Sequence, residues 1–464
     1  MTSASNVATR AKKNHSRTLA RLTEYLTIPA ISCDASRAAD VRRLAEKIRD
    51  DLGALGMDDA RLLELDGAHP AVAAERMRAG ADKPTLLIYG HLDLQPVAGE
   101  AWSTAPHEAV EKDGRLYARG AADDMGGWVS HLAAIEAWLE EVGELPLNVR
   151  LLIEGEEEIG SPNLERYMDA YPEAFASDVM VLTDCENPSS DVPGLTVSLR
   201  GLLEIEVRCD ALGSDVHSGL WGNLVPDPCI ALMQIVSRLV DQNGRLTVGR
   251  VELTDRERDA YRNVPLGEDV IRRGARILPD VAPLPLEGRT PAEWAWRQPA
   301  ITVLSTTFPA PGTEKNAVRR SASAKLSCRV APGQSSDALF QALRDAIVSD
   351  PPGGVRVSVE QLRGGDGWLY EPKGPAFPAA DRAYQAAWGK PLSPIGVGGS
   401  IPFVAMFGRR FAELPLILNG VMDPETGAHG PDESMHLGVF EKAIAANVYL
   451  YDELARVEGL GKSS

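Results

Sequence analysis

Acidic and histidine side chains stand at the ends of three short, mostly apolar segments of this sequence: TLLIYGHLD (85–93), NVRLLIEGEEE (148–158) and VMVLTDCE (179–186). The polar residues at these ends are His91, Asp93, Glu157, Glu158 and Asp184. Asp123 and Asp124 occur in GAADDMGG, and His429 occurs in ETGAHGPDES. Carboxylates gathered in one place repel one another, and bound cations remove that cost. Mixed imidazole and carboxylate ligands suit zinc, manganese or cobalt, so the set predicts a two-metal hydrolytic centre.

Each motif taken alone also has a simpler explanation. A single histidine at a strand end is usually a hydrogen-bonded loop residue. The acidic pair of GAADDMGG is most simply a cap, with Asp123 or Asp124 capping the helix that begins near Met125, and EGEEEIGS is most often a solvated acidic turn. Because all of these motifs occur in one chain, the metal-site interpretation becomes the stronger one.

The elements that would position these residues alternate between strands and helices. The three apolar segments read as buried strands, and the spacing of apolar residues predicts helices over 16–27, 36–55 and 125–142. This order predicts an α/β fold whose sheet is mixed but mostly parallel and flanked by helices. In such sheets ligands bind at the carboxyl ends of the strands, which is where the acidic and histidine residues lie.

The pattern changes near residue 196 and changes back near 375. Strands near 196–212, 299–308, 322–333 and 354–361 and helices over 227–242 and 336–348 predict a β-α-β-β-α-β order, typical of a ferredoxin-like α+β unit. The stretch 245–298 is rich in charge and proline and is interpreted as an irregular insertion. We therefore predict a catalytic domain made of residues 1–195 and 376–464, with an α+β domain inserted over 196–375.

Charge and composition exclude several classes of partner. The chain has 464 residues and a formal net charge of −18, so its surface should repel nucleic acid and anionic lipid. The cysteines are five in number and scattered, which predicts a reduced chain without a disulfide framework. No secretory signal and no apolar run of membrane-spanning length is visible, so we expect a cytoplasmic protein with no membrane or nucleic-acid partner.

Five segments resemble the metal-binding motifs of the M20 family of metallopeptidases, in its dipeptidase or carnosinase-like branch. They are YGHLDLQP, YARGAADDMGG, IEGEEEIGS, LTDCE and GAHGPDE, and they occur in the family's order. The resemblance extends over nearly the whole chain, including the inserted domain. It implies hydrolysis of small peptides, foremost dipeptides, by a hydroxide that bridges two divalent metal ions, zinc in the first place and manganese or cobalt otherwise.

The resemblance also implies a role for each site residue. His91 would bind one metal and His429 the other, Asp123 would bridge both, and Glu158 and Asp184 would complete the two sets. Glu157 would be the general base. Asp93 would orient His91 by contacting the ring nitrogen that does not bind the metal.

Further residues of the inserted domain and of a late loop match the family's substrate-binding positions. His217, in SDVHSG, would reach the active site of a partner subunit as an oxyanion donor, which makes the inserted domain a lid and the surface of a homodimer. Arg329, in SCRVAP, would hold the substrate carboxylate together with Gly399 and Ser400 of VGGSIP. Asn316 would make a small polar contact with the substrate.

The chain departs from the family pattern at Met125, Gly396, Asp227 and Asp432, where Lys, Arg, Asn and Asn are common. The loss of an arginine at Gly396 leaves open an N-acyl-amino-acid amidohydrolase with the same chemistry. A non-catalytic binding protein on the same fold is a second alternative, which the intact base Glu157 disfavours. A magnesium phosphohydrolase would need basic residues for phosphate near the acids, and Arg119 is the only evident candidate.

Overall fold

The computed structural model describes residues 3–262, 264–399, 404, 406, 407, 410, 411 and 414–461. In chain order the strands are β1 (Asp58–Leu63), β2 (Ala71–Arg76), β3 (Thr85–His91), β4 (Val110–Lys112), β5 (Arg115–Tyr117), β6 (Asn148–Glu154), β7 (Val179–Leu182), β8 (Gly194–Leu199), β9 (Gly201–Asp210), β10 (Val216–His217), β11 (Ala300–Thr306), β12 (Ala317–Val318), β13 (Ser321–Val330), β14 (Arg356–Gly365), β15 (Trp368–Leu369), β16 (Ser393–Val397), β17 (Leu416–Leu418) and β18 (Ser434–His436). The α-helices are α1 (Ala4–Lys13), α2 (His15–Leu26), α3 (Ala38–Leu55), α4 (Met125–Val142), α5 (Leu164–Ala170), α6 (Pro172–Phe175), α7 (Ser218–Trp221), α8 (Pro228–Arg238), α9 (Asp255–Arg262), α10 (Glu268–Gly274), α11 (Ser336–Val348), α12 (Ala376–Trp388) and α13 (Leu437–Ala455).

A six-stranded mixed sheet organises the first part of the chain. Its strand order is β1-β2-β6-β3-β7-β17. The strands β6, β3, β7 and β17 run parallel to one another. Strand β2 runs antiparallel to β6, and β1 runs antiparallel to β2. The prediction of a mixed α/β fold is thus confirmed. Because β3, β6 and β7 are parallel neighbours, their carboxyl ends meet at one edge, and that edge is where the predicted site residues should converge.

Strand β3 is buried on both faces, which explains its unbroken apolar sequence. Leu86 and Ile88 belong to a large apolar cluster shared with α1–α4, α12 and α13, whereas Leu87 and Tyr89 belong to a second cluster with α5 and α6. Successive side chains of a strand point to opposite faces, so one strand supplies two cores. The end of β3 is therefore held rigidly from both sides.

A four-stranded antiparallel sheet lies within the middle of the chain, with the order β11-β13-β9-β14. The side chains of β9 alternate between buried and partly exposed, and its buried side chains form a separate apolar cluster with α8 and α11. Helices therefore cover one face of this sheet and leave the other open. The division of the chain into domains at residues 195 and 375 stays a prediction.

The structure differs from the sequence interpretation in two places. The continuous run near 196–212 is two strands: β8 pairs with β15 and β16, and β9 belongs to the four-stranded sheet. The chain changes sheets at Gly201, where an added Cβ would lie 2.3 Å from the carbonyl oxygen of Gly365, so only glycine fits there.

The predicted irregular insertion over 245–298 contains two helices, α9 and α10, and a π-helical turn at Glu293–Arg297. The start of α9 is a capping box, since Thr254 and Glu257 accept each other's backbone N–H through their side chains. Among the residues that the structure describes, no helix is both long enough and apolar enough to cross a lipid bilayer.

Candidate metal centre

Five loops and strand ends bring the predicted ligands together. His91 ends β3, Asp184 follows β7, and Glu158 lies in a 3-10 turn (Glu157–Ile159) directly after β6. Asp123 precedes Asp124, the N-cap residue of α4, and His429 lies in the long loop between β17 and β18. Residues separated by more than 300 positions thus meet at the carboxyl edge of the six-stranded sheet, as the sequence predicts.

The ligand atoms form two groups that share Asp123. One group is His91, Asp123 and Asp184, and the other is Asp123, Glu158 and His429; within each, the candidate ligand atoms lie within 4.8 Å of one another. The Oδ1 atom of Asp123 is 3.1 Å from His91 Nε2, and its Oδ2 atom is 3.2 Å from His429 Nε2. Each carboxylate oxygen therefore faces a different imidazole, which is the arrangement that a bridging ligand requires.

His91 is oriented by its other ring nitrogen. Its Nδ1 atom lies 3.1 Å from the backbone carbonyl oxygen of Asp93 and 3.5 Å from the carboxylate oxygen Oδ1 of the same residue. The carboxylate of Asp93 also accepts the backbone N–H groups of Glu157 and Glu158, at 3.1 and 3.0 Å. Asp93 thus contacts His91 mainly through its main chain and uses its carboxylate to hold the turn that carries Glu157 and Glu158.

The electrostatics of the cluster favour cations. Burial and the neighbouring charge of Asp123 raise the pKa of Asp184 to about 7, and burial with repulsion from Asp123 also raises the pKa of Glu158. Burial raises the pKa of Glu157 well above its usual range, and repulsion from Asp184 adds to this. Hydrogen bonds with Asp123 and Glu158 raise the pKa of His429 to about 11. Carboxyl groups whose pKa values are raised by burial and mutual repulsion, beside an imidazole whose pKa they raise, fit a set whose charge is balanced by metal ions.

Gln95 and Glu433 were not singled out from the sequence, and Asp124 was given no role of its own beside Asp123. Gln95 donates a hydrogen bond to Glu158 Oε2 at 2.6 Å. Asp124, fully buried, accepts the Thr183 hydroxyl at 2.6 Å. Glu433, also fully buried, accepts the backbone N–H of Asp123. All three lie inside or beside the motifs identified from the sequence, but the spacing of a motif does not reveal which backbone groups its side chains meet.

The structure brings His217 and Asn316 together, and among the described residues no side-chain hydrogen bond or ion pair joins either of them to the proposed metal ligands. His217 is in β10, which pairs with β12, and the backbone N–H of Ser218 donates to the carbonyl oxygen of Asn316 at 2.9 Å. The exposed ring of His217 accepts the backbone N–H of Gly219. Beside it, Leu220 and Trp221 have exposed fractions of 69% and 49%.

Arg329 lies in β13, on the open face of the four-stranded sheet, and burial lowers its pKa. Gly399 lies in the loop after β16, and Ser400 lies outside the described residues. Arg200, which the sequence interpretation did not single out, binds the loop of Gly399 and is close enough to Arg329 for their charges to interact. It donates to the carbonyl oxygens of Gly398 and Gln298 at 2.9 and 3.3 Å. Burial and the nearby charge of Arg329 lower the pKa of Arg200 to about 10.

The four departures from the family pattern have structural explanations. Met125 is fully buried in the large apolar cluster, where an apolar side chain packs. Asp227 caps α8 by accepting two backbone N–H groups, and Asp432 accepts the N–H and hydroxyl of Ser103. At Gly396, an added Cβ would lie 2.6 Å from Trp296 Cβ, so Trp296 occupies the space that a larger residue would need.

Comparisons with known proteins agree with this geometry. Residues 87–453 match the model of peptidase family M20/M25/M40. The cysteinylglycine-S-conjugate dipeptidase of Corynebacterium striatum is 34% identical over 82% of this chain and 83% of its own length. The Beta-Ala-His dipeptidase of Rattus norvegicus is 29% identical over 80% of this chain and 77% of its own. The solved structure of the dipeptidase Dug1p from Saccharomyces cerevisiae has the same fold, with a TM-score of 0.81 at 23% identity, covering 98% of this chain and 99% of that one.

Proposed function

This chain belongs to peptidase family M20/M25/M40, and we propose that it hydrolyses the peptide bond of dipeptides at a centre of two divalent metal ions. One observation carries the proposal: the two oxygens of Asp123 face His91 and His429, with Asp184 and Glu158 completing the two groups. Dipeptides as substrates are supported by the names of the relatives, one of which acts on cysteinylglycine S-conjugates and another on Beta-Ala-His.

We assign the ligands by the two groups that the side chains form. His91 and Asp184 would hold one ion, His429 and Glu158 the other, and Asp123 both. Nitrogen and oxygen donors in this ratio fit zinc first and manganese or cobalt next. Two such ions, when bound, polarise the scissile carbonyl and make hydroxide available near neutral pH.

Glu157 is the proposed general base. It takes a proton from the attacking water and delivers it to the leaving amine. Its backbone N–H is held by Asp93, and its neighbour Glu158 is one of the proposed ligands, so the turn that carries both residues is fixed relative to His91. Its raised pKa, which arises first from burial, suits a group that must accept and then release a proton.

We propose that the four-stranded unit is a lid and that two copies of the chain form a homodimer through it. The exposed apolar side chains beside His217 support this surface. Among the described residues His217 has no hydrogen bond to the proposed metal ligands of its own chain, and we propose that it acts in the partner's site as an oxyanion donor. Asn316, held next to it, would make a polar contact with the same substrate.

Substrate binding is assigned to Arg329 together with Gly399 and Ser400. A guanidinium binds a carboxylate bidentately, and Arg329 has no ion pair with an acid among the described residues. It would bind the C-terminal carboxylate of the dipeptide. The five unpaired cysteines support the cytoplasm as the compartment of the enzyme.

Hydrolysis of a mixed substrate panel, followed by mass spectrometry, tests this function. The panel contains dipeptides, tripeptides, C-terminally amidated dipeptides and N-acyl amino acids, each with zinc or manganese and each with a chelator. We expect chelator-sensitive cleavage of free dipeptides. Cleavage of N-acyl amino acids alone would keep the metal centre and move the protein to amidohydrolase specificity, and the absence of any cleavage with metal bound would contradict the proposal.

A further inference from the structure

We propose that Glu433 is a positioning residue that ties the loop of the shared ligand Asp123 to the loop of His429. It thereby sets the affinity of the metal position that His429 helps to form. The inference rests on the proposed two-metal function. It concerns a residue that lies four positions after His429 and that contacts none of the proposed ligand atoms.

The carboxylate of Glu433 is fully buried and accepts four hydrogen bonds from one short segment. Its Oε1 atom accepts the backbone N–H groups of Ala122 and Asp123 at 3.1 and 3.2 Å. Its Oε2 atom accepts the backbone N–H of Gly120 at 3.0 Å and the Nη1 group of Arg119, also at 3.0 Å. Asp123 is therefore held at its main chain by Glu433 and at its carboxylate by the two histidines.

The main chain of Glu433 strengthens the same connection. Its carbonyl oxygen accepts the backbone N–H of Ala118 at 3.1 Å, so residue 433 is joined to the segment 118–123 by both side chain and backbone. Only an anion with two oxygens can accept three backbone N–H groups and a guanidinium at once. A glutamine in this position would turn its own NH₂ donor towards N–H donors.

The two histidines depend on this connection to different degrees. His91 ends a strand that is buried on both faces, and its side chain is 1% exposed. The side chain of His429 is 59% exposed, and its backbone has a φ of 63° in a loop without regular structure. The position of His429 relative to Asp123 therefore depends on what holds its loop, and Glu433 is the residue of that loop that bonds to the Asp123 backbone.

Metal binding to metal-free protein tests the inference without any need for turnover. We expect wild-type protein to bind two equivalents of zinc. Glu433→Gln should keep one tight site and bind the second ion about 10- to 100-fold more weakly, the usual effect of removing a partner behind a metal ligand. With Co²⁺ as the probe, the visible spectrum of the second equivalent should change while that of the first is preserved.

Glu293→Gln is the matched control, because Glu293 is also buried and paired with an arginine, Arg289. Among the described residues its hydrogen-bond partners are Arg289 and Thr290, and none belongs to the loops of Asp123 and His429. Circular dichroism of the metal-free variants checks folding. If Glu433→Gln does not fold, metal binding is measured with Glu433→Asp instead. Aspartate keeps the negative charge, but its shorter side chain moves the carboxylate away from the backbone N–H groups. Two tight sites in the folded Glu433 variant, or an equal loss of the second ion in Glu293→Gln, would overturn the inference.

A double-mutant cycle separates positioning from general damage. His429→Ala should itself lose the second ion, and adding Glu433→Gln to it should cause no further loss at the remaining site. If Glu433→Gln weakened metal binding in the His429→Ala background as much as it does in wild-type protein, the inference would be contradicted. If wild-type protein failed to bind two ions, the proposed two-metal function would fail with it. Two tightly bound ions in the Glu433 variants, with the second ion lost in His429→Ala, would refute only the role of Glu433.

Discussion

At the scale of single residues, the chemistry is divided between side chains that meet the proposed metals and side chains that hold those in place. Asp123 is contacted by His91 and His429 through different oxygens, while Asp93 holds the turn of Glu157 and Glu158 by their backbone N–H groups. Such supporting contacts hold the catalytic side chains in one geometry, and small displacements from it lower the reaction rate. The base and the ligands can therefore be separated by mutation.

Glu157→Ala should lower kcat on a dipeptide by about 10²- to 10⁴-fold, because the proton transfer loses its base, while both metal ions stay bound. Steady-state kinetics and metal analysis of the same sample check this result. Glu165→Ala, at an exposed position in the first turn of α5, is the control and should keep wild-type activity. A loss of metal in proportion to activity would mean that Glu157 is a ligand and Glu158 the base.

The ligand candidates were recognisable from the sequence because each lies at the end of a strand or in a short motif whose residue types are unusual together. His91, Asp123 and Asp184 are examples, and the structure brings them within 4.8 Å. The contacts of Glu433 and Arg200 could not be found in this way. Their side chains bond to backbone groups far away in the sequence, and local spacing carries no information about such partners.

At the scale of elements, strand β3 and helix α4 were predictable because burial imposes a strong pattern on their sequences. The bounds of α4 and α11 agree with the pattern of apolar residues. Helices α9 and α10 were missed, since charge and proline dominate their surroundings and α9 has few apolar residues. The capping box of Thr254 and Glu257 was the available signal for α9.

The first turn of α4 must approach the loop of Asp123 closely, and glycine makes this possible. An added Cβ at Gly126 would lie 2.3 Å from the carbonyl oxygen of Ala121 and 2.5 Å from Met435 Sδ. Gly126→Ala should therefore lower the free energy of unfolding by about 1–3 kcal/mol, as overpacking does, although alanine favours helix. Urea denaturation measures the change.

The control for this substitution is Gly53→Ala in α3. No heavy atom lies within 4 Å of an added Cβ there, and the position is exposed. We expect it to be neutral or stabilising by up to about 1 kcal/mol. A neutral result for Gly126→Ala would mean that the loop before α4 has more room than its contacts indicate.

At the scale of the whole molecule, we propose two chains in one active unit, because no hydrogen bond joins His217 to the proposed metal ligands of its own chain among the described residues. Its exposed apolar neighbours, Leu220 and Trp221, would provide a surface for the proposed second copy. In a twofold-symmetric dimer each lid can serve the partner's site. A chain that lacks the base Glu157 and a chain that lacks the lid residue His217 should therefore complement each other.

Chains carrying Glu157→Ala and chains carrying His217→Ala, each inactive alone, should regain activity when co-expressed. The mixed dimer contains one site with an intact Glu157 that receives an intact His217 from the other chain. Random pairing in equal amounts should give about a quarter of the wild-type specific activity. Two different affinity tags allow the mixed dimer to be isolated from the two inactive homodimers. Absence of any recovery would show that His217 does not act across subunits.

Dipeptide hydrolysis that depends on two metal ions can be followed by titrating metal-free protein with zinc or manganese. Cysteinylglycine hydrolysis and bound metal should be measured at each step. The account predicts no turnover without metal and full activity only when two equivalents are bound at the groups that share Asp123. Undiminished turnover by the metal-free protein, or binding of two ions without any turnover of dipeptides, would contradict it.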